Sequence, residues 1–335
     1  MRPTLRLLAR FAAVATLLAA FAVAAALWWL ARPLPLPSST FSFDVKAGAS
    51  LRAVAHDLAA AHVLPLEAAL VALARFERAD RTIKAGNYEI AEGITLPQLL
   101  AKLTQGDVAQ RALTIVEGTS FAELANALAA DADIAQTVLA LAPAEIARRA
   151  GVPGTDPEGW FFPDTYFYAS GSTDLALLAR AHRLMRARLD AAWAKRAPDL
   201  PLKDPYEMLI LASIVEKETG RAADRPLIAS VFVNRLRLGM RLQSDPTVIY
   251  GLGAKFDGNL RKRDLETDTP YNTYMREGLP PTPISLPGQA ALDAAANPPR
   301  TPYLYFVARG DGASVFSANL ADHNRAVAKF QLGRP

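Results

Sequence analysis

The stretch Leu209-Ile210-Leu211-Ala212-Ser213-Ile214-Val215-Glu216-Lys217-Glu218-Thr219-Gly220 reads as an apolar helix that runs into two carboxylates and stops at a glycine. Apolar surroundings disfavour the charged form of a carboxyl. The negative end of a helix dipole disfavours an anion as well. Both effects raise a carboxyl pKa, which is what a general acid working near neutral pH requires. At about 100° per residue, Glu218 shares its face with Leu211, Ile214 and Val215, whereas Glu216 falls nearly opposite, with Leu209, Ala212 and Ser213. The spacing thus puts Glu218 on the more apolar stripe and nearer the helix end. Taken alone, the segment is equally a solvated last turn with an incidental Glu-Lys-Glu run.

The chain has 335 residues, 51% hydrophobic and 21% charged, which suits a globular protein of two domains with an added apolar segment. A net charge of +4 is too diffuse for nucleic acid and compatible with an anionic polymer or a membrane surface. Absence of cysteine excludes disulfides, thiolate metal sites and a thiol nucleophile. His56, His62, His182 and His323 are scattered without ligand spacing, so no metal or cofactor is expected.

Phe11 to Ala31 is uncharged and apolar, long enough to span a bilayer. Arg2, Arg6 and Arg10 precede it, and only Arg32 and Lys46 follow closely, which points the N-terminus to the cytoplasm. Trp28 and Trp29 fall at the interfacial position. The alternative is a signal peptide cleaved near Ala24-Ala25-Ala26; the apolar run continues past these alanines and favours a retained anchor. Residues 33–40, opening with Pro33-Leu34-Pro35-Leu36-Pro37, read as a stiff, extended linker.

Three units then share one grammar: a short strand, a glycine turn, and a Ser or Thr placed to cap an amphipathic helix. They are Phe43–Leu51, Tyr88–Leu96 and Leu113–Phe121, and the apolar stripe continues through Val54/Leu58, Leu99/Leu103 and Leu124/Leu128. Residues 41 to about 130 therefore read as a small α+β module. Its opening, Val45-Lys46-Ala47-Gly48-Ala49-Ser50-Leu51, resembles the start of a LysM domain, a peptidoglycan-binding fold. Beyond residue 145 come an aromatic segment, a long helix over about 174–195, the Glu218 helix, a further helix stopping at Gly239, and a closing hairpin around Gly310-Asp311-Gly312.

The chain carries no GxSxG, HExxH or P-loop motif, and Gly251-Leu252-Gly253 lacks the context of a dinucleotide fingerprint. Carboxylate chemistry beside aromatic and amide side chains remains, a combination suited to carbohydrate. Phe161, Phe162, Phe306 and Phe316 read as core.

The ordered segments Glu158-Gly159-Trp160-Phe161-Phe162-Pro163-Asp164-Thr165, Ala212–Thr219, Val231-Phe232-Val233-Asn234-Arg235-Leu236, Met240–Gly251, Tyr271-Asn272-Thr273-Tyr274, Gly278-Leu279-Pro280-Pro281 and Thr301–Val307 resemble the endolytic murein transglycosylases, the MltG or YceG-like family. The resemblance runs from about residue 41 to the C-terminus. It implies an α+β protein: a transmembrane helix (1–32), the linker, a LysM-like subdomain (41–110) and a mixed α/β catalytic domain (111–335) with lysozyme-like use of a helix-borne glutamate. It implies a single-pass inner-membrane protein, cytoplasmic at its N-terminus and periplasmic beyond, that cuts nascent peptidoglycan glycan strands, with cell-wall synthases (glycan polymerases) as expected partners. It assigns catalysis to the second Glu of the Glu-Lys-Glu run, Glu218. Gln243, Asp245, Tyr250, Asn272 and Tyr274 are candidates for holding the sugars, and each could instead be a turn or cap residue. Two other readings stay open: a non-catalytic membrane-tethered peptidoglycan-binding scaffold, and a hydrolase in which Asp245 or another carboxylate activates water.

Overall fold

The computed structural model describes residues 3–46, 48–106 and 110–332, with side chains from residue 12 onward. Arg2, the side chains of Arg6 and Arg10, and Ala47 of the first repeat lie outside the described residues, as does the 107–109 stretch just before the expected domain boundary. The chain divides into two compact units, with the division between Arg111 and Ala112; residues 169–171 count with the first.

The first unit opens with α1 (Pro3–Leu30). Within α1, Ala12–Leu30 is long and apolar enough to cross a membrane, with a mean hydropathy of 2.1. The unit continues with β1 (Thr40–Val45), α2 (Leu51–Ala60), α3 (Glu67–Phe76), β2 (Gly86–Ala91) and α4 (Leu96–Gln105). β1 and β2 pair antiparallel, from Thr40 opposite Ala91 to Val45 opposite Gly86. Ser50 caps α2 through the Ala53 N–H, and Gln98 Oε1 accepts the Thr95 N–H at the start of α4. The stretch expected as a stiff, extended linker packs on this unit. Leu34 is buried, its N–H donates to the Ile94 carbonyl at 2.7 Å, and Trp29, Leu30 and Leu36 pack on the same core. Alternating proline and leucine leaves the leucines free to seek apolar cover, and that outweighs extension into water.

β3 (Gln110–Thr114) crosses the division; the second unit takes in its larger part with α5 (Phe121–Ala130), α6 (Pro143–Ala150), β4 (Thr165–Ala169, all but its last residue), α7 (Asp174–Ala194) and α8 (Pro205–Glu218). It goes on through α9 (Arg225–Arg237), α10 (Asp245–Leu252), α11 (Lys262–Glu266), α12 (Gln289–Ala296), β5 (Tyr305–Ala308), β6 (Ser314–Ser317) and α13 (Leu320–Phe330). The third strand–turn–helix repeat does not join the first two. β3 pairs with β4, and Leu113, Phe121, Leu124 and Leu128 enter the second core. Phe121 lies against Phe161 at 5.5 Å, and its N–H is bound by the Glu158 carboxyl at 3.0 Å. These partners exist only in the second unit.

Glycine at position 159 is forced. It has φ +80°, and a Cβ there would lie 2.5 Å from the Pro283 ring. A second fixed point is Asp174, fully buried at the start of α7. Its carboxylate accepts the N–H groups of Thr137, Val138 and Leu139 and the Thr137 hydroxyl, pinning the 137–139 turn to the helix. Burial pushes its pKa up, but these hydrogen bonds outweigh it and hold the carboxyl below the usual range. Its stabilising contribution is therefore present at neutral pH and lost as pH falls through the depressed pKa. Asp174→Ala strands three backbone donors and should lower the unfolding free energy by about 3 kcal/mol or more at pH 7. Denaturant titration measures this, and the deficit should shrink in acid.

Candidate active site

The cleft is organised by α8. Asp204 caps its N-terminus by accepting the Glu207 N–H at 2.9 Å, and Pro205 sits in the first turn, where its missing N–H costs nothing. Every residue from Met208 to Val215 is buried, because α8 packs against α7, α9, α10 and α12. Ser213 survives in this core by donating to the Ile210 carbonyl and accepting the Ile284 N–H. Two expectations are corrected here. The helix has no single apolar stripe, so helical phase does not separate the two glutamates. Nor does a left-handed glycine stop it: Thr219 is extended at φ −154°, and its hydroxyl accepts the Arg221 N–H.

What separates the glutamates is their partners. The Glu216 side chain is 5% exposed, 3.4 Å from the Arg225 guanidinium, and accepts the Gly288 N–H at 2.8 Å. Burial raises its pKa, while Gly288 and Arg225 pull the other way. Among the described residues, Glu218, the last residue of α8, has no cation in contact. Its Oε1 accepts the Ser244 hydroxyl at 2.5 Å. Burial pushes its pKa up to about 7, the Asp245 charge adds to the rise, and the Ser244 bond and Arg235 moderate it. The glutamate is thus largely protonated below neutrality and at the turning point of its titration there.

Glu218 lines a cleft of about 590 Å³ together with Arg235, Gln243, Asp245, Tyr274 and Tyr305. Gln243 is held at φ +52°, a left-handed conformation uncommon outside glycine, by its N–H on the Thr273 carbonyl and by Arg235 Nη1 on its Oε1. Asp245 opens α10 and accepts the Tyr274 hydroxyl at 2.6 Å. Burial is the main reason that the Tyr274 pKa rises, so it stays a neutral donor. Ser244 is fixed by its N–H on the Thr273 hydroxyl at 3.0 Å.

Of the sequence candidates, Glu218, Gln243, Asp245 and Tyr274 meet in this cleft, and two do not line it. Asn272 is fully buried, donating to the Asp264, Leu265 and Thr267 carbonyls and accepting the Tyr274 N–H; it shapes the loop that carries Tyr274. Tyr250 points elsewhere, donating to Glu158 at 3.1 Å and meeting Tyr271 edge-on. A separate cavity of about 560 Å³ lies by the N-terminal end of α8, lined by Asp156, Trp160 and Tyr206; neither Glu218 nor Asp245 reaches it. Among the described residues no three His, Asp or Glu side chains converge as a metal ligand set.

The pattern of the YceG-like family matches residues 43–329. The chain belongs to the YceG-like family. It is 32% identical over 309 residues to the endolytic murein transglycosylase of Bacillus subtilis, covering 87% of this chain and 85% of the relative. It is 30% identical over 282 residues to the endolytic murein transglycosylase of Streptococcus pneumoniae D39, covering 74% of this chain and 50% of that protein. A crystal structure of a YceG-like protein from Listeria monocytogenes superposes with a TM-score of 0.55 at 28% identity, over 85% of this chain and 98% of the other.

Arg235, Ser244, Tyr305 and His323 are among the residues in or beside the cleft that the sequence does not single out as site residues. The first three lie inside the motif segments that carry the family resemblance, so the signal was present without a role attached. His323 lies on α13, a helix that the sequence reading placed no element over. Its stacking on Tyr305, at 5.1 Å between rings, is a tertiary event with no local signature.

Glu158, in the Glu-Gly-Trp-Phe-Phe-Pro segment, is a second perturbed carboxyl. Burial drives its pKa up to about 7, against the hydrogen bonds from Phe121 and Tyr250. The stability tied to its protonated form is full below its ordinary value of 4.5 and is lost as pH rises through about 7. Glu158→Gln keeps an amide oxygen for the Phe121 N–H and removes the titration. The variant should gain in Tm on the parent between pH 5 and 8 by calorimetry; parallel Tm curves would refute the assignment.

Proposed function

We propose that the protein is a membrane-anchored endolytic peptidoglycan lytic transglycosylase. It cuts the bond between N-acetylmuramic acid and N-acetylglucosamine inside nascent glycan strands and leaves 1,6-anhydro-muramyl ends, which terminates elongation. The observation that carries this reading is Glu218: a carboxyl with its pKa near 7, at the wall of a cleft, with a hydroxyl partner and no cation in contact. The names of the bacillary and streptococcal relatives support the reaction class.

Glu218 begins protonated and gives its proton to the glycosidic oxygen as the bond to C1 breaks. The carboxylate so formed takes the proton of the muramyl 6-hydroxyl, whose oxygen closes onto C1. The proton returns to Glu218 and no water is consumed. One residue serves both steps, so the second carboxylate of an ordinary glycosidase is unnecessary. Asp245, the carboxylate nearest at hand, already accepts the Tyr274 hydroxyl; this favours a role in holding Tyr274 and in raising the Glu218 pKa over activating water. Gln243, Asp245 and Tyr274 hold the sugars, and Tyr305 offers an aromatic wall.

The apolar part of α1 serves as a single-pass inner-membrane anchor, with the arginine-rich tip in the cytoplasm and the chain beyond α1 in the periplasm. An enzyme anchored there meets strands as they leave the glycan polymerases, which are its proposed partners. The LysM-like first unit is proposed to hold glycan.

Glu218→Gln keeps the shape of the side chain but cannot donate and recover a proton, and should cost at least ~10²–10⁴-fold in cleavage rate. Glu216→Gln retains an acceptor for Gly288 and should leave folded enzyme close to parental activity. Mass spectrometry of digested strands reads both rate and chemistry. Anhydro ends support the reading; reducing ends would make the protein a hydrolase, and no cut a binding scaffold.

A further inference from the structure

We propose that Arg235 is the charge partner of Glu218, held in the same cleft without an ion-pair contact so that it stabilises the Glu218 carboxylate during the interval when the proton is on the sugar. The proposal deepens the function above and rests on Glu218 as the acid–base.

α9 carries a buried arginine for each glutamate of α8. Arg225, at its first position, touches Glu216 at 3.4 Å. Arg235, also buried, lines the cleft with Glu218 yet forms no ion pair among the described residues. A buried cation without a carboxylate partner is costly unless other groups satisfy it. Here Nε donates to the Leu304 carbonyl at 2.7 Å, and Nη1 donates to the Leu242 carbonyl at 2.7 Å, the Arg241 carbonyl at 3.2 Å and Gln243 Oε1 at 3.3 Å. The guanidinium also lies over the Tyr305 ring at 5.1 Å. Among the described residues Nη2 takes no hydrogen-bond partner. The side chain is therefore clamped in place, with one arm unused.

The separation from Glu218 matters. Direct contact would ionise Glu218 at neutral pH, as salt-bridged carboxylates are, and leave no proton to give. With no cation near, the carboxylate formed in the first step would stand at a helix C-terminus beside Asp245, against both the dipole and a like charge. A fixed cation in the same cleft but outside ion-pair contact satisfies both halves of the reaction, because its field acts on the charge as it appears. The other groups facing Glu218 do not supply this. From α10 come Asp245, an anion, and from the 267–283 loop Tyr274, a neutral phenol. Across the cleft are Tyr305 and His323; burial, and then Arg235, lowers the His323 pKa and keeps it neutral. On α8 itself, Lys217 is engaged with the Gly118 carbonyl and Glu216 with Arg225.

The test is the pH profile of anhydro-end formation by full-length protein on uncrosslinked glycan strands. Two neutral replacements are compared: Arg235→Gln, and Arg235→citrulline, which keeps the shape, the Nε–H and one NH2 donor, and exchanges the other NH2 and the charge for a carbonyl oxygen that can sit at the unused Nη2 position. Each should lose rate by roughly 10²-fold with little change in KM. The alkaline limb should move up by about 1 pH unit, because Glu218 loses the charge that eased its ionisation. Arg235→Lys should leave the limb near its parental position. A merely structural role for Arg235 would lower the rate without moving the limb. An unmoved or acid-shifted limb in Arg235→citrulline overturns the proposal, even if Arg235→Gln fails to fold. Failure of the underlying reading looks different: the parent would make no anhydro ends, or Glu218→Gln would retain activity.

Discussion

The structure depends on one unfavourable placement, a carboxyl at the C-terminal end of a helix buried on every side. Met208 to Val215 leave no wet face on that part of α8, so Glu218 emerges from an apolar helix into a cleft where the Ser244 hydroxyl is its hydrogen-bond partner among the described residues. Desolvation is the largest cause of its raised pKa.

The surrounding elements follow from holding that carboxyl. Ser244 must reach it from the start of α10, so its N–H is tied to Thr273, whose hydroxyl also pairs with that of Thr247 at 2.8 Å. Gln243 takes a strained backbone conformation beside it, and Arg235 and the Thr273 carbonyl hold the strain in place. Asn272 ties the Tyr274 loop to α11 and the turn after it, which presents the phenol to Asp245. Glu216, two residues away on the same helix, shows the contrasting solution. Its arginine and backbone partners make it a structural anchor in place of a proton donor.

Much of this was legible in the sequence, and the gaps have physical causes. The apolar run before Glu218, the caps at Ser50, Thr95 and Ser120, and the span at Ala12–Leu30 are local signals that tertiary packing did not override. Helical phase failed for Glu216 against Glu218, because phase reports a stripe only when one side of a helix is wet. Tyr250 and Asn272 share a polar, motif-rich neighbourhood with the cleft residues, and composition cannot tell a loop brace from a lining side chain. Arg235 lies within a family motif, yet its role is not readable there: a buried arginine without a carboxylate has no sequence signature. The helices α3, α12 and α13 went unread because they are short, or alanine-rich and weakly patterned.

The central claim, that burial at the end of α8 holds Glu218 protonated up to neutrality, is tested most directly by a site-resolved titration. Protein labelled with ¹³C at glutamate carboxyls, with Glu218→Gln used to assign the resonance, gives the ionisation of this one group by NMR. The account predicts a midpoint at about 7, well above the ordinary 4.5. A midpoint at the ordinary value would contradict it.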